Sequence, residues 1–277
     1  MPAINQSGPA FVEPQVFVAG AARDAAGVDS SPGAVAVRGG RIVAAGDADH
    51  VRRQVGGDAK SIKLPDRLLL PALVNAHAHL QLTAVGPRPF DGSFARWVGM
   101  LRQRWADRVA AAAGDELAAL GDSMSRGAQA SIAAGVLRIG DIASWHVEAL
   151  DELRRSDLHG VGFIELLGIG GEKLGRTMHR LDELARMSGR ASGVTLGLEP
   201  HAPYSTGPAL YEAATDFAGE RGLPLSTHLA EMPEEHRFVR TADGPFRDLL
   251  EQLGKWDEAY VAHYRDHRSS EIGRAHV

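Results

Sequence analysis

Among residue types able to do chemistry, histidine has the most suggestive spacing in this sequence. His77 and His79, in Asn75-Ala76-His77-Ala78-His79-Leu80, stand two apart at the end of an apolar run. In a strand the side-chain period is two, so both imidazoles project to the same side; on a helix they would diverge. Two imidazoles so placed form half of a zinc or iron site. Taken alone, the pair is equally well read as two strand-end histidines bonded to nearby polar groups. Other strand ends change that balance. Thr227-His228-Leu229-Ala230-Glu231 puts a candidate ligand and, three residues on, a carboxylate for general acid/base work in one loop. His201-Ala202-Pro203-Tyr204-Ser205-Thr206 follows another apolar run, and Pro203 disfavours helical continuation, so His201 can project into the same mouth. His263, in Val261-Ala262-His263-Tyr264, ends a further run.

The elements that must position these residues follow from periodicity. Short apolar runs read as six strands: Leu69 to Ala76, Val136 to Ile142, Val161 to Leu167, Val194 to Glu199, Leu225 to His228 and Ala259 to His263. Between them, Phe94, Trp97, Val98, Leu101, Trp105 and Val109 form one helical stripe, and Leu174, Met178, Leu181 and Leu184 another; both read as core. Strands alternating with helices predict a parallel sheet, doubly wound or closed into a barrel. No Gly-x-Gly-x-x-Gly opens a helix after a strand, which favours the barrel. In a barrel the carboxyl ends of the strands form the mouth where active sites are built, and His77, His79, His201, His228 and His263 cluster at four such ends. Before residue 68 the pattern differs. Ala34 to Arg38 and Arg41 to Ala45 flank Gly39-Gly40, a hairpin signal, with Val16 to Ala19 before and Ser61 to Leu64 after. Residues 1–67 read as a small β-sandwich module with no convincing helix beyond a turn near Ala48 to Val55.

The other histidines, His50, His146, His159, His179, His236, His267 and His276, fall on predicted helices or loops and are assigned to surface or local hydrogen bonding. Asp141 and Glu165, near inner strands, either support the site or pair with a neighbour, and the second reading is preferred for each. Arg88 and Trp97 follow the first strand and are candidate substrate contacts in a lid, although Trp97 also fits the core stripe.

Composition narrows the chemistry. A chain of 277 residues, 44% hydrophobic and 23% charged, is ordinary for a globular protein. A net charge of -5 and a pI near 6.2 offer no basic stripe for a phosphate backbone, so small neutral or cationic molecules are expected as partners and nucleic acid is not. With no cysteine, disulfides, thiolate sites and the His/Cys/Cys zinc deaminases are excluded, and any metal must be held by histidine and carboxylate. The amino terminus lacks a cationic start followed by an apolar core, and the longest apolar run, Leu68 to Val74, contains Pro71; no membrane partner and a cytoplasmic location are expected.

Leu70-Pro71-Ala72-Leu73-Val74-Asn75-Ala76-His77-Ala78-His79-Leu80 resembles the strand-one signature of amidohydrolases of the cytosine deaminase and chlorohydrolase branch. His201-Ala202-Pro203-Tyr204-Ser205-Thr206 and His228-Leu229-Ala230-Glu231 resemble its strand-four and strand-five signatures, in the same order. Gly244-Pro245-Phe246 and Trp97 look most like the aminodeoxyfutalosine deaminase relatives within that branch, enzymes of an alternative menaquinone route. The resemblance implies an α/β fold: a (β/α)8 TIM-type barrel of the metal-dependent hydrolase kind, here incomplete at about six strands. It implies that His77, His79 and His228 hold one divalent metal ion, zinc or in second place iron. Glu231 would be the proton shuttle, His201 a substrate contact, and His263 a partner of the metal-bound water or the leaving group. A three-histidine site with an open position supplies hydroxide near neutral pH, which would attack an electron-poor ring carbon. Glu231 would protonate the ring nitrogen and then the departing amine. The substrate class implied is an aminated purine-like or pyrimidine-like heterocycle. The motifs do not separate deamination from hydrolytic release of chloride from a triazine-like ring, and a non-catalytic relative keeping the barrel for assembly is the third reading.

Family members commonly carry Gly at the position of Ala72 and Glu at that of Gln81, so the positioning of the first ligands departs from the pattern here. A barrel alone takes about 250 residues, and no seventh or eighth strand is found, so the family's strand-eight Asp has no counterpart. Arg265 to Val277 is polar without a helical stripe, and Glu271 to Val277 back-translates as GAG ATC GGA AGA GCA CAC GTC, which contains a common sequencing-adapter sequence. Residues 265–277 are therefore expected to be a non-native tail on a truncated barrel domain spanning 68–264. The chain as written is expected to be inactive, with unpaired strand edges that invite aggregation; a homo-oligomer is admitted for a full-length form.

Overall fold

The computed structural model describes residues 15–24, 26–56, 59–168, 179 and 193–258. The stripe of Leu174, Met178, Leu181 and Leu184, the strand Ala259 to His263 and the tail 265–277 lie outside the described residues. The chain divides into two compact units between Leu73 and Val74.

The first unit contains β1 (Gln15–Arg23), β2 (Asp29–Ser30), β3 (Gly33–Arg38), β4 (Arg41–Asp47), α1 (Ala48–Val55) and β5 (Lys60–Leu69). They form one five-stranded sheet in the order β2-β1-β3-β4, with β5 parallel to β1 and the other pairs antiparallel. The β3–β4 hairpin turns at Gly39 and Gly40, both at positive φ (55° and 71°), where a side chain would be strained. A sandwich would need a second sheet. Among the described residues the layer packed on this sheet is instead a helix, α1, where sequence periodicity suggested only a turn. Asp47 caps it by accepting the His50 N–H at 2.9 Å, and Ala48 and Val51 are fully buried with Val16, Ala34 and Ala36. Burial of two small apolar residues and one good cap outweigh a composition otherwise poor in apolar signal.

In the second unit, β6 (Leu73–Ala78) leads into a 3-10 helix (Leu80–Val85), followed by α2 (Phe94–Ala111) and α3 (Glu116–Ala133). Next come β7 (Val136–Ile142), α4 (Glu148–Arg155), β8 (His159–Leu166), β9 (Val194–Pro200), α5 (Pro208–Arg221), α6 (Pro233–Thr241) and α7 (Pro245–Gln252). The sheet order β6-β7-β8-β9 follows the chain, and β7–β8 and β8–β9 are parallel. This is an α/β unit with a parallel sheet, as strand and helix alternation predicts. The expected strand at Leu69 to Ala76 is divided: Leu69 closes β5, and β6 begins only after Pro71.

The expected strand at Leu225 to His228 is reduced to one parallel bridge, Leu198 to Leu225, with backbone bonds Leu198 N–H to Pro224 O and Ser226 N–H to Leu198 O, both 3.0 Å. The next donor on β9 in that alternation belongs to position 200, and Pro200 has no N–H to continue the ladder.

One face of the sheet is covered by helices. Ile139, Ile164, Leu196 and Leu198 from the strands pack with Leu120, Met124, Leu150, Leu153 and Phe217 from α3, α4 and α5. Residues at odd steps from these point to the other face, where Gly197 is required because a Cβ there would come within 2.5 Å of the Phe163 ring. A second cluster, Ala202, Tyr204, Phe238, Ala242, Phe246 and Leu250, is built mainly by α6 and α7. The α2 stripe, expected as core, contains no buried residue; it meets the two clusters only through half-buried Trp105 and Phe94.

Candidate metal centre

Each candidate residue is placed by a strand or by the loop that strand feeds. β6 ends at Ala78 and the chain turns at once into the 3-10 helix, held there by two buried groups. The Asp141 carboxylate accepts the Leu80 N–H at 2.8 Å; the Ser123 hydroxyl accepts from Ala84 N–H at 2.9 Å and donates to the Gln81 carbonyl at 2.8 Å. Ala78 packs against the helix-covered core, so His77 and His79 share the opposite face, with ring centroids 5.0 Å apart. The two-residue spacing acts here as strand geometry requires.

Glu165 and Glu199 stand directly opposite each other on β8 and β9. Their neighbours Ile164 and Leu198 face the helices, so both carboxylates lie on the histidine face. Glu199 is wholly buried, and its Oε1 lies 2.8 Å from His228 Nδ1, a charge contact rather than a well-aligned hydrogen bond. His201 places Nδ1 2.6 Å from the Ser205 hydroxyl and Nε2 3.7 Å from Glu165. Its backbone carbonyl accepts the His228 N–H at 2.7 Å, which ties the two histidine loops together.

The loop from His228 to Glu231 is held from α6. The buried Glu235 carboxylate accepts the N–H groups of Ala230 at 2.9 Å and Glu231 at 3.2 Å, fixing Ala230 at φ 56°, a left-handed conformation that costs a non-glycine residue energy. Glu231 itself is exposed, and its Oε2 accepts the Tyr204 hydroxyl at 2.7 Å. Tyr204 stacks on Phe246 with centroids 4.1 Å apart, so the aromatic cluster aims the hydroxyl that holds Glu231.

Three imidazoles converge. His77, His79 and His228 each offer a ring nitrogen, and these atoms all lie within 4.8 Å of one another. His79 Nε2 and His228 Nε2 are 3.2 Å apart, and the His201 ring centroid is 4.9 Å from that of His228. In a tetrahedral site with metal–nitrogen bonds of about 2.0–2.1 Å, ligand nitrogens stand about 3.3–3.4 Å apart, so the His79–His228 spacing suits one shared divalent ion. The Glu199 contact on the far nitrogen of His228 is the kind that orients a ligand ring.

The electrostatics agree with that donor set. Burial, with the rings of His228 and His77 adding to it, pulls His79 down to about 4 and keeps its lone pair available. Burial likewise pulls His201 down to about 3. His228 moves the other way: burial pulls it down, but the Glu199 carboxylate, with Glu231 and Glu165, more than offsets this. Burial first, then repulsion from Glu199, pushes Glu165 up to about 7. Three imidazoles beside two crowded carboxylates can hold a cation and present an exposed carboxylate, Glu231, at its edge.

Of the sequence-predicted residues, His77, His79, His201, His228 and Glu231 come together. Trp97 is half-buried and stacks on Phe94 at 6.0 Å, and Phe94 meets Tyr204, the partner of Glu231, edge-on at 5.9 Å. Arg88 is exposed, and its guanidinium donates to the Pro87 carbonyl at 3.1 Å. His263 lies outside the described residues. Sequence reading missed Glu199, although a charge two residues before His201 in an apolar strand shares its face by the period-two rule. It also missed the roles of Tyr204 and Glu235, which depend on loop conformation. Asp141, read as neighbour pairing, bonds a backbone N–H on the helix-covered side and so supports the turn behind His79.

A parallel α/β sheet whose strand ends bring three imidazoles and a carboxylate together defines an α/β protein with a histidine cluster able to hold a metal ion. Residues 68–264 match the amidohydrolase family, and the chain belongs to that family. It is 31% identical over 251 residues to the aminodeoxyfutalosine deaminase of Deinococcus radiodurans, covering 88% of this chain and 53% of that protein. The structure of Helicobacter pylori aminofutalosine deaminase in complex with methylthio-coformycin superposes with a TM-score of 0.72 and 25% identity, covering 88% of this chain and 57% of the other. A Xanthomonas campestris adenosine deaminase with bound zinc shares the fold, with a TM-score of 0.65 and 20% identity over 88% of this chain and 56% of the other. The chain spans about half the length of the curated relatives it matches. Among the described residues no helix is long and apolar enough to cross a membrane.

Proposed function

We propose that this chain carries the metal centre of a hydrolytic deaminase acting on an aminated N-heterocycle, with residues 68–264 forming part of a (β/α)8 barrel and residues 1–67 a separate β module. The carrying observation is the convergence of three ring nitrogens, from His77, His79 and His228, within 4.8 Å of one another, with Glu231 on the loop that follows His228. Similarity to aminodeoxyfutalosine deaminase, and to deaminases of 5-methylthioadenosine and adenosine, supports an adenine-type nucleoside as the substrate class.

When bound, a divalent ion, zinc by the donor set and by analogy with the zinc-bound relative, supplies water activation at neutral pH. The remaining work falls to this chain's own groups. Glu199 orients His228 through Nδ1, and the turn behind His79 is held by Asp141 and Ser123. Tyr204 holds Oε2 of Glu231, which leaves Oε1 to take one proton from water and pass it to a ring nitrogen, then to take the second proton from the added hydroxyl and pass it to the departing amine. Water adds and ammonia leaves, so atoms and charge balance. His201, beside His228, is placed to contact the heterocycle.

Zinc content of the purified chain, and ammonia release from adenine-containing nucleosides and other aminated heterocycles by this chain and by any longer form containing it, test the reading. Stoichiometric zinc that His228→Ala abolishes is expected. Zinc uptake unaffected by that substitution would overturn the centre, and release of chloride but no ammonia would overturn the reaction.

A further inference from the structure

Gln81 is buried, 8% exposed, in the 3-10 helix directly behind His79. Its side-chain Nε2 lies 3.3 Å from His79 Nδ1, while its Oε1 is buried without a hydrogen-bond partner. His79 thus has a defined neighbour at each nitrogen: the Gln81 amide at Nδ1 and His228 Nε2, 3.2 Å away, at Nε2.

Donor and acceptor counting couples the two contacts. His228 Nδ1 faces the Glu199 carboxylate at 2.8 Å, which calls for a proton on Nδ1; at a pH high enough for His228 to be uncharged, its Nε2 is then an acceptor. His79 Nε2 must then donate, its Nδ1 must accept, and the amide nitrogen of Gln81 is the group that satisfies it. A cation shared by both Nε2 atoms demands the opposite: His79 must offer a lone pair at Nε2 and carry its proton on Nδ1. An amide nitrogen cannot accept that proton, but the amide oxygen can, once the side chain turns over about its last bond.

We infer that Gln81 is a two-position support for His79, donating through its amide nitrogen to one ring tautomer and accepting through its amide oxygen from the other, so that metal uptake and amide reversal occur together. The inference rests on the proposed metal centre. In either orientation one end of the amide is bonded and the other is not, so the reversal is nearly balanced and the ion decides it. A carboxylate at position 81 could only accept and would favour the metal-binding tautomer alone; an aliphatic side chain would support neither.

The test combines zinc titration with nitrogen-15 spectra of histidine-labelled protein, before and after zinc loading, on the chain and on Gln81→Glu and Gln81→Leu. With spectra recorded at alkaline pH, where His228 is uncharged, His79 is expected to carry its proton on Nε2 in the zinc-stripped protein and on Nδ1 in the loaded one. Zinc affinity is expected to rise in Gln81→Glu and to fall about 10- to 100-fold in Gln81→Leu, the range usual for groups that orient ligands. Unchanged affinity in both variants, or a His79 tautomer that does not switch on loading, overturns the inference while leaving the metal centre standing. If Gln81→Leu fails to fold, Gln81→Glu decides: affinity equal to or below that of the parent chain counts against the inference. A chain that binds no zinc removes the metal centre, and the inference falls with it.

Discussion

The two halves of the candidate centre are built on different kinds of support. His77 and His79 stand at the end of β6, the first on the strand and the second just past it; among the described residues β6 is an edge strand, and its Val74 is 66% exposed. What holds them is polar and local: Asp141 on the Leu80 N–H, Ser123 on the turn behind, and Gln81 on the ring. His201, His228 and Glu231 rest on β9, buried at every position but Thr195, and on the aromatic cluster of Phe238, Phe246 and Tyr204. Packing backs the second half, together with the hydrogen bonds that Tyr204 and Glu235 make to its loop; the first relies on hydrogen bonds. The halves should therefore answer to different perturbations, and that contrast can be broken.

The largest effect is expected from packing. Phe238 is fully buried and edge-on to Phe246, 6.1 Å between centroids, so Phe238→Ala should cost about 3–5 kcal/mol of unfolding free energy, measured by denaturant titration, since a buried ring leaves a cavity that α6 and α7 can only partly close. A loss below about 1 kcal/mol would mean that the second half does not lean on its core.

Next is a pH effect on the first half. Burial, with the charge of Glu199 adding to it and the Leu80 N–H opposing it, pushes Asp141 from 3.8 up to about 7. The folded chain therefore keeps this proton over a range in which the unfolded chain has lost it. The stabilising contribution is fully present below about pH 3.8 and is lost as pH rises towards about 7, up to about 4 kcal/mol in all. Glu165, raised to about 7 for the same reason, slopes the same way. Asp141→Asn keeps the acceptor for Leu80 but removes the titration, so zinc-stripped protein carrying it should lose less stability between pH 4 and 7. Identical pH slopes for parent and variant would show that Asp141 does not carry this titration.

A smaller effect separates the halves at the level of the ligand. Glu199→Gln replaces the carboxylate opposite His228 Nδ1 with an amide and should lower zinc affinity about 10- to 100-fold, measured by competition with a chromophoric chelator. Retained affinity would show that packing of β9 alone orients His228.

Legibility in the sequence follows the same division. β7 is read to the residue from its apolar-rich run Val136 to Ile142, and His77 and His79 are read to the correct face by a period of two. The Gly39-Gly40 hairpin is equally plain. The strand at Leu225 to His228 is not, because Pro200 on its neighbour removes the donor its ladder needs, and that is a property of a residue pair rather than of a run. The helix α1 hides for a similar reason: its cap and two buried residues matter only once β3 and β4 are in place. Glu199 was visible in principle by its spacing from His201. Glu235 was not, since its meaning lies in two backbone N–H groups that point at it only when Ala230 adopts a positive φ.

The smallest expected effect is the one that tests the contrast at its root. Val74→Thr on β6 keeps a β-branched side chain suited to a strand and removes one methyl from a residue already two-thirds in solvent, so stability should stay within about 0.5 kcal/mol. The matched change on β9, Leu198→Ala, empties a fully buried position and should cost about 2–5 kcal/mol. If the two strands differ by that margin, the first pair of histidines does sit on a lightly packed edge, and its dependence on Asp141, Ser123 and Gln81 follows, because little else is available to hold it. If instead Val74→Thr costs more than about 1 kcal/mol, another surface packs on β6 in solution, and the first half owes its geometry to packing as the second does.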